Sequence, residues 1–270
     1  MLIQFKLSIF LFFLLLQSCT LFRFAYMPSI QNVPSLQKKN DARLAAAIGN
    51  PLLGNETTFS IQGAYAVSNH FAVTGALNGT TNNSDELSTT NQNGVVTTNT
   101  IKYRRPNFEI GLGWIQPLSK DKKVIFETYT GYSNGKNKIT DFKNLTPIRF
   151  HNSTTNRFYI QPVISFHPAD FITLSGSLRY NSLDYTNIQT DYSTTELQTY
   201  RLQLLGTKRF SFLEPCFTIS AGIKNAPWIR FQAQSSGSYL IGNEISNFYF
   251  RESYFSFGVM IDPIKMLAKN

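Results

Sequence analysis

Ile172-Thr173-Leu174-Ser175-Gly176-Ser177-Leu178-Arg179-Tyr180 sets apolar side chains at every second position, with hydroxyls and one arginine between them. Successive side chains of a β-strand point to opposite faces, so this stretch reads as a strand with one apolar and one polar surface. The same period returns along the chain. Phe59, Ile61, Gly63, Tyr65 and Val67 oppose Ser60, Gln62, Ala64 and Ala66; Phe217, Ile219, Ala221 and Ile223 oppose Thr218, Ser220, Gly222 and Lys224; Phe255, Phe257, Val259 and Ile261 oppose Tyr254, Ser256, Gly258 and Met260. Counted this way the chain holds about ten strands, within a range of roughly eight to twelve, and no helix. They fall near residues 42–49, 57–67, 70–79, 103–116, 123–133, 156–166, 171–184, 196–211, 216–225 and 252–262. The segment Trp228 to Gln234 is a candidate for an additional strand extension.

Composition agrees with an all-β chain. Charged residues make up 15% of it, well below the usual ~25%, and 23 Phe with many Ser, Thr, Asn and Tyr take their place. Connections between the expected strands are short at 68–70, 117–122, 167–170 and 213–215, and longer at 50–56, 80–102, 134–155, 185–195 and 226–251. All the longer ones fall at one end. That asymmetry predicts a transmembrane antiparallel up-and-down β-barrel with short periplasmic turns and long extracellular loops.

A soluble barrel shows the same alternation with its faces exchanged, so the polar face decides. A water-facing strand surface is rich in Lys and Glu, whereas here it is mostly Ser, Thr, Ala, Gly and Gln, which suits a crowded lumen. Arg43, Glu109, Glu127, Arg157, Arg179, Arg201 and Lys224 are the isolated charges on that face, and their burial predicts an interior ion-pair network. Aromatic residues near the ends of the apolar faces, Phe59, Tyr65, Phe108, Trp114, Phe158, Phe166, Tyr200 and Phe210, predict two interfacial girdles.

The first 18 residues have a basic Lys6, an apolar run from Leu7 to Leu16 and a polar end, the layout of a cleaved export signal. Leu16-Gln17-Ser18-Cys19 resembles the bacterial lipobox, which implies that Cys19 is acylated, with palmitate among its chains, and is the first residue of the mature protein. Residues 19–41 carry Pro28 and Pro34 and lack periodicity, and read as a lipid-anchored periplasmic tether. The barrel is expected over 42–262 and a periplasmic C-terminal tail over 263–270. An even strand count returns both chain ends to the periplasmic side.

Together with Cys19, the residues Tyr26, Pro28, Asn32 and Pro34 and the stretch Gln62-Gly63-Ala64-Tyr65-Ala66-Val67-Ser68-Asn69-His70-Phe71 resemble a group of Bacteroidota outer-membrane β-barrel lipoproteins. The resemblance implies the fold and a cell outer-membrane location, and it supplies no catalytic residue. Thr20 to Phe24 lacks the acidic cluster that resembles a surface-export signal in such bacteria, which points to an anchor in the periplasmic leaflet.

No catalytic constellation emerges. His70 and His167 fall in expected turns and His151 in a long loop, no Cys and His set has zinc spacing, and no glycine-rich phosphate loop is present. Neither cofactor nor metal is expected, and the chain is read as a non-enzyme. The net charge of +9 is scattered, which argues against nucleic acid and suits outer-membrane lipids and lipopolysaccharide. Trp228, Arg230, Phe231, Phe248, Tyr249 and Arg251, in the longest expected loop, combine residue types enriched at protein contacts. The leading expectation is a structural or accessory subunit that binds another outer-membrane protein in a larger complex. A narrow channel, a small-ligand-binding barrel and an outer-membrane lipid-modifying enzyme are the alternatives.

Overall fold

The computed structural model describes residues 22–51, 56–82, 85–90, 96–223, 226–242 and 249–267. The expected signal peptide, Cys19, Lys224, Phe248 and residues 268–270 lie outside the described residues. In chain order the elements are β1 (Ala42–Pro51), β2 (Glu56–Ala66), β3 (Phe71–Asn82), β4 (Asp85–Thr90), β5 (Val96–Arg104), β6 (Asn107–Pro117), β7 (Val124–Lys143), β8 (Thr146–Ala169), β9 (Ile172–Thr190), α1 (Thr194–Thr199), β10 (Phe210–Ile223), β11 (Ala226–Gly237), β12 (Tyr239–Ile241), β13 (Ser253–Ile261) and α2 (Pro263–Leu267).

Ten strands close an antiparallel ring in the order β1-β2-β3-β6-β7-β8-β9-β10-β11-β13, and β13 pairs back onto β1 from Leu44↔Ile261 to Pro51↔Tyr254. Closure gives every strand of the ring a neighbour on both sides, the condition under which a sheet survives in lipid. The hairpin of β4 and β5 lies outside the ring and continues the wall upward against β7, and β12 extends the ladder of β10. Residues 67–70, 118–123 and 170–171 connect strands at one end, the turn end. The opposite, loop end carries the β4–β5 hairpin, the tip of β7 and β8, residues 191–209 and the connection that contains β12.

Outward side chains identify the solvent. Leu44, Ile61, Val73, Leu77, Ile110, Leu112, Ile160, Ile164, Phe217, Ile219 and Phe257 all project from the wall and are exposed. About 9–11 residues of a tilted strand cross a bilayer, whereas β7, β8 and β9 have 20, 24 and 19. Their surplus stands beyond the membrane, and the polarity of the wall inverts where it begins. Below Tyr132, Phe158 and Tyr180 the outward positions are Ile160, Ile164, Phe166 and Leu178; above them they become Asn134, Lys136, Lys138, Thr154 and Asp184, while Ile139, Leu183 and Tyr185 turn inward. Trp114, Phe126 and Phe166 mark the lower limit, with the Trp114 and Phe126 rings 6.3 Å apart. From Phe158 to Phe166 a strand rises roughly 26 Å along its own axis, which after tilt is close to the apolar band of about 25 Å that such barrels present.

Leu112 lies between Phe108 and Trp114 on β6 and is 65% exposed. Leu112→Lys is expected to lower barrel stability in liposomes by about 2–4 kcal/mol, the cost of a mid-bilayer lysine on the lipid face. Urea titration followed by gel mobility measures it, and an unchanged midpoint would mean that this face does not meet lipid.

Four expectations need correction. Residues 22–37 are not a periplasmic tether: they run inside the barrel, and Phe22 lies at the loop end beside Tyr249, the rings 4.6 Å apart. Residues 196–211 are not one strand, because α1 and a series of turns occupy 194–207 and only Phe210 onward joins the wall. The Leu-rich alternation around Leu202 and Leu204 imitated a strand, yet Ser193 and Glu196 form a reciprocal capping box. Its Ser193 backbone and hydroxyl donors hold the Glu196 carboxyl below the usual range. Leu213 to Pro215 is strand rather than turn: Pro215 sits where β11 gives way to β12, and its carbonyl accepts the Ser236 hydroxyl at 3.0 Å. A proline removes a ladder donor, which a strand tolerates where its neighbour is interrupted. Finally, 226–237 is wall strand β11 and not loop, so the count of ten stands although one expected strand dissolved and another was gained.

Candidate functional site

The lumen holds the chain's own N-terminal segment. From Arg23 to Leu36 every residue except Phe24 and Asn32 is buried. Pro28 and Pro34 keep this thread out of a helix, and among the described residues it makes a single isolated bridge, Tyr26 with Phe250, to a neighbouring backbone. Its carbonyls therefore need partners from the wall, since a buried unpaired carbonyl is costly. Inward side chains supply them one after another. Tyr103 donates its hydroxyl to the Phe22 carbonyl at 2.9 Å, Arg105 donates to that of Phe24, and Tyr185 to that of Ala25 at 2.9 Å. Further down, Tyr254 donates to Ser29 at 2.9 Å, Gln62 to Ile30 at 3.0 Å, Gln234 to Gln31 at 2.9 Å and Gln161 to Asn32 at 2.9 Å.

Midway down, four charges meet around two side chains of the thread. Arg157 pairs with Glu109, and Arg179 reaches the other Glu109 oxygen at 3.5 Å. Ser29 sits among them, donating to Glu109 at 2.6 Å and accepting from Arg157 at 2.9 Å and Arg179 at 3.2 Å. Tyr26 donates to Glu214 at 2.5 Å, accepts from Arg157 at 3.2 Å and stacks on Phe212 with centroids 4.3 Å apart. Two carboxylates and two guanidiniums balance, with the thread as their common hydrogen-bonding partner. Nearer the turn end, Glu127 accepts from the Leu36 backbone N–H at 2.9 Å and from Tyr129 at 2.6 Å. Glycines on β6 make this possible: a Cβ on Gly113 would overlap the Tyr129 ring.

Both ends of the thread are fastened. At the loop end Arg23 pairs with Asp141 at 2.6 Å and lies 3.7 Å from the Tyr200 ring centroid. At the turn end Asn40 donates its N–H to the Ala66 carbonyl at 2.9 Å, and Lys39 donates to the Asn69 side chain at 3.0 Å. Arg43 then pairs with Asp262 at 2.5 Å, next to where β1 and β13 close the ring.

Of the expected interior charges, Arg43, Glu109, Glu127, Arg157 and Arg179 line the lumen, but Arg201 does not: it lies in the outer loop over the Tyr249 ring, 4.6 Å from its centroid. Sequence reasoning missed Glu214, hidden in the supposed turn, and the outer partners Arg23, Asp141, Arg105 and Glu56, and it gave Arg251 a place in a partner-binding loop rather than in an ion pair. Arg251 and Glu56 pair at 2.7 Å. Period-two counting from Phe217 back to Phe212 would have placed Glu214 inward. Among the expected girdle residues, Phe59, Tyr65, Phe108, Trp114, Phe158 and Phe166 are exposed on the outer wall. Tyr200 instead caps α1 and Phe210 is buried inside against Tyr185, because both lie above the level at which polarity inverts. The expected partner-binding loop is not one surface. Trp228 and Arg230 sit near the turn end, where Arg230 donates to Thr173 at 2.8 Å; Phe231 faces outward, and Tyr249 and Arg251 flank the thread at the loop end.

No known family model matches the chain, and no curated protein sequence does. Among solved structures it is similar to the porin NanC, at 11% identity and a TM-score of 0.36 over 81% of this chain and 99% of that one. It is similar also to the translocator domain of the autotransporter NalP from Neisseria meningitidis, at 11% and 0.43 over 82% and 86%. A further match is OmpT, an outer membrane protein of Vibrio cholerae, at 9% and 0.29 over 87% and 99%. Each match is to a barrel, and none assigns a role to a residue of this chain.

Proposed function

We propose that this protein is a plugged, non-conducting outer-membrane barrel, an accessory subunit that serves as a membrane-embedded platform rather than as a pore or an enzyme. The observation that supports the reading is the thread: a segment of the chain's own backbone occupies the lumen and its carbonyls are matched by inward wall side chains. A permeation path needs water or mobile ions where Tyr26, Ser29 and Gln31 now sit. Glu109 is buried in the lumen and engaged by Arg157, Arg179, Ser29 and Asn78, out of reach of a lipid on the outer wall. What the barrel offers to another protein is its outer structure, above all the tip of β7 and β8, where Leu145 is 83% exposed and Ile148 and Phe150 are exposed nearby. Apolar side chains standing in water beyond the membrane suit contact with a second outer-membrane protein.

Purified protein reconstituted in a planar bilayer is expected to be electrically silent, and stepwise conductance by the unmodified protein overturns the plugged reading. Extraction from native membranes in mild detergent is expected to bring down a constant second outer-membrane protein together with a heat-modifiable band. A barrel recovered alone under these conditions removes the accessory role.

A further inference from the structure

The direction of the thread fixes where the chain lies before it enters the barrel. Phe22 is at the loop end, above the level of Tyr132 and Phe158, against Tyr103 and Tyr249 on the outer extensions. The chain then descends and leaves the lumen at Lys38 to Asp41, tied to the β2–β3 turn at the opposite end. We propose that the chain enters the membrane from outside through its own barrel, so that the residues preceding Phe22, Cys19 among them, stand at the outer surface. An acyl anchor on Cys19 would then belong to the outer leaflet, not the periplasmic one. The inference rests on the threaded lumen of the proposed function.

Chain length decides the matter. Cys19 is three residues from Phe22, and three residues span at most about 11 Å. The hydrocarbon core is ~30 Å thick. A cysteine tethered that closely to the loop end cannot reach the periplasmic side, and the lumen below it is already filled by the thread. The exit is open: a cleft of about 630 Å³ lies there, bordered by aromatic side chains such as Phe22 and Tyr249 and by the charged Arg23, Asp141, Arg149 and Glu196. The pairing of Arg23 with Asp141 and its seat over Tyr200 hold the last lumenal residue against being drawn back.

The test adds one cysteine at a time to a Cys216→Ser parent, which lacks the buried lumenal thiol and keeps Cys19, and labels that parent in parallel to read Cys19 alone. Leu21→Cys is expected to react with a membrane-impermeant maleimide in intact cells to the same extent as after permeabilisation. Lys120→Cys, in the β6–β7 turn, is expected to react only after permeabilisation. If Leu21→Cys reacts only after permeabilisation while Lys120→Cys does the same, the inference is overturned. Labelling of Cys19 itself in intact cells would show an outer but unacylated N-terminal side and remove the lipid alone. A protein that conducts yet labels at Leu21→Cys from outside sinks the plugged reading and leaves this topology standing. A silent protein that labels only from within does the reverse.

Discussion

Glu109→Ala is expected to destabilise the barrel by about 3–5 kcal/mol, the range for breaking a buried ion pair and stranding its partners. Glu109 is 4% exposed, pairs with Arg157 and Arg179, and accepts the Ser29 hydroxyl. Removing its carboxylate leaves two buried guanidiniums facing the single carboxylate of Glu214. It also leaves Ser29 without its acceptor, so the loss includes part of the hold on the thread. Urea unfolding in detergent micelles, read by tryptophan emission and gel mobility, measures the effect. Combining Glu109→Ala with Arg157→Met restores charge balance and is expected to recover part of the loss. If Glu109→Ala unfolds at the wild-type urea concentration, the four charges do not act as a buried unit.

Deleting residues 22–37 is expected to convert a silent barrel into one that conducts ions in a planar bilayer. The thread fills the lumen, and the inward side chains that now bond its carbonyls would instead meet water. Because the deletion also strands Glu127 and Glu214, a milder variant keeps the test informative. Tyr26→Ala with Gln31→Ala removes the contacts to Glu214, Arg157 and Ser177 while leaving the ends fastened. Each lost buried hydrogen bond costs roughly 1–3 kcal/mol, and every 1.4 kcal/mol is a factor of about ten in the open fraction. Flickering openings are therefore expected from the double variant and sustained ones from the deletion. A correctly folded, heat-modifiable deletion variant that stays silent would mean that the thread is not what closes the lumen.

Local alternation sufficed for the wall. Ile172 to Tyr180, Phe59 to Val67 and Phe255 to Ile261 each carry one apolar and one polar face, and strand geometry leaves a single way to arrange them with lipid outside. The inward positions of Arg43, Glu109, Glu127, Arg157 and Arg179 follow from the same count of two, as does the outward position of Trp114. The rule failed where its premise failed. Above Tyr132 and Phe158 the strands leave the membrane, apolar side chains turn inward, and Tyr200 and Phe210 cannot be read as lipid-facing. Pro215 imitated a turn because a proline's cost depends on whether the neighbouring strand is continuous, which no local pattern records.

The thread was beyond the reach of sequence for a related reason. Residues 22–37, with two prolines and no period, have no intrinsic partner, and such a segment is equally at home in water. Only the closed ring, with the β4–β5 hairpin stacked on it, brings Tyr103, Tyr185, Tyr254, Gln62, Gln234 and Gln161, from six different strands, to carbonyls along one backbone. The sequence alone determined that a barrel forms and which side of each strand meets lipid, because those choices are made between neighbours two residues apart. The tertiary structure decided what fills that barrel and from which end, because those choices depend on hydrogen-bonding groups up to 225 residues apart in the chain.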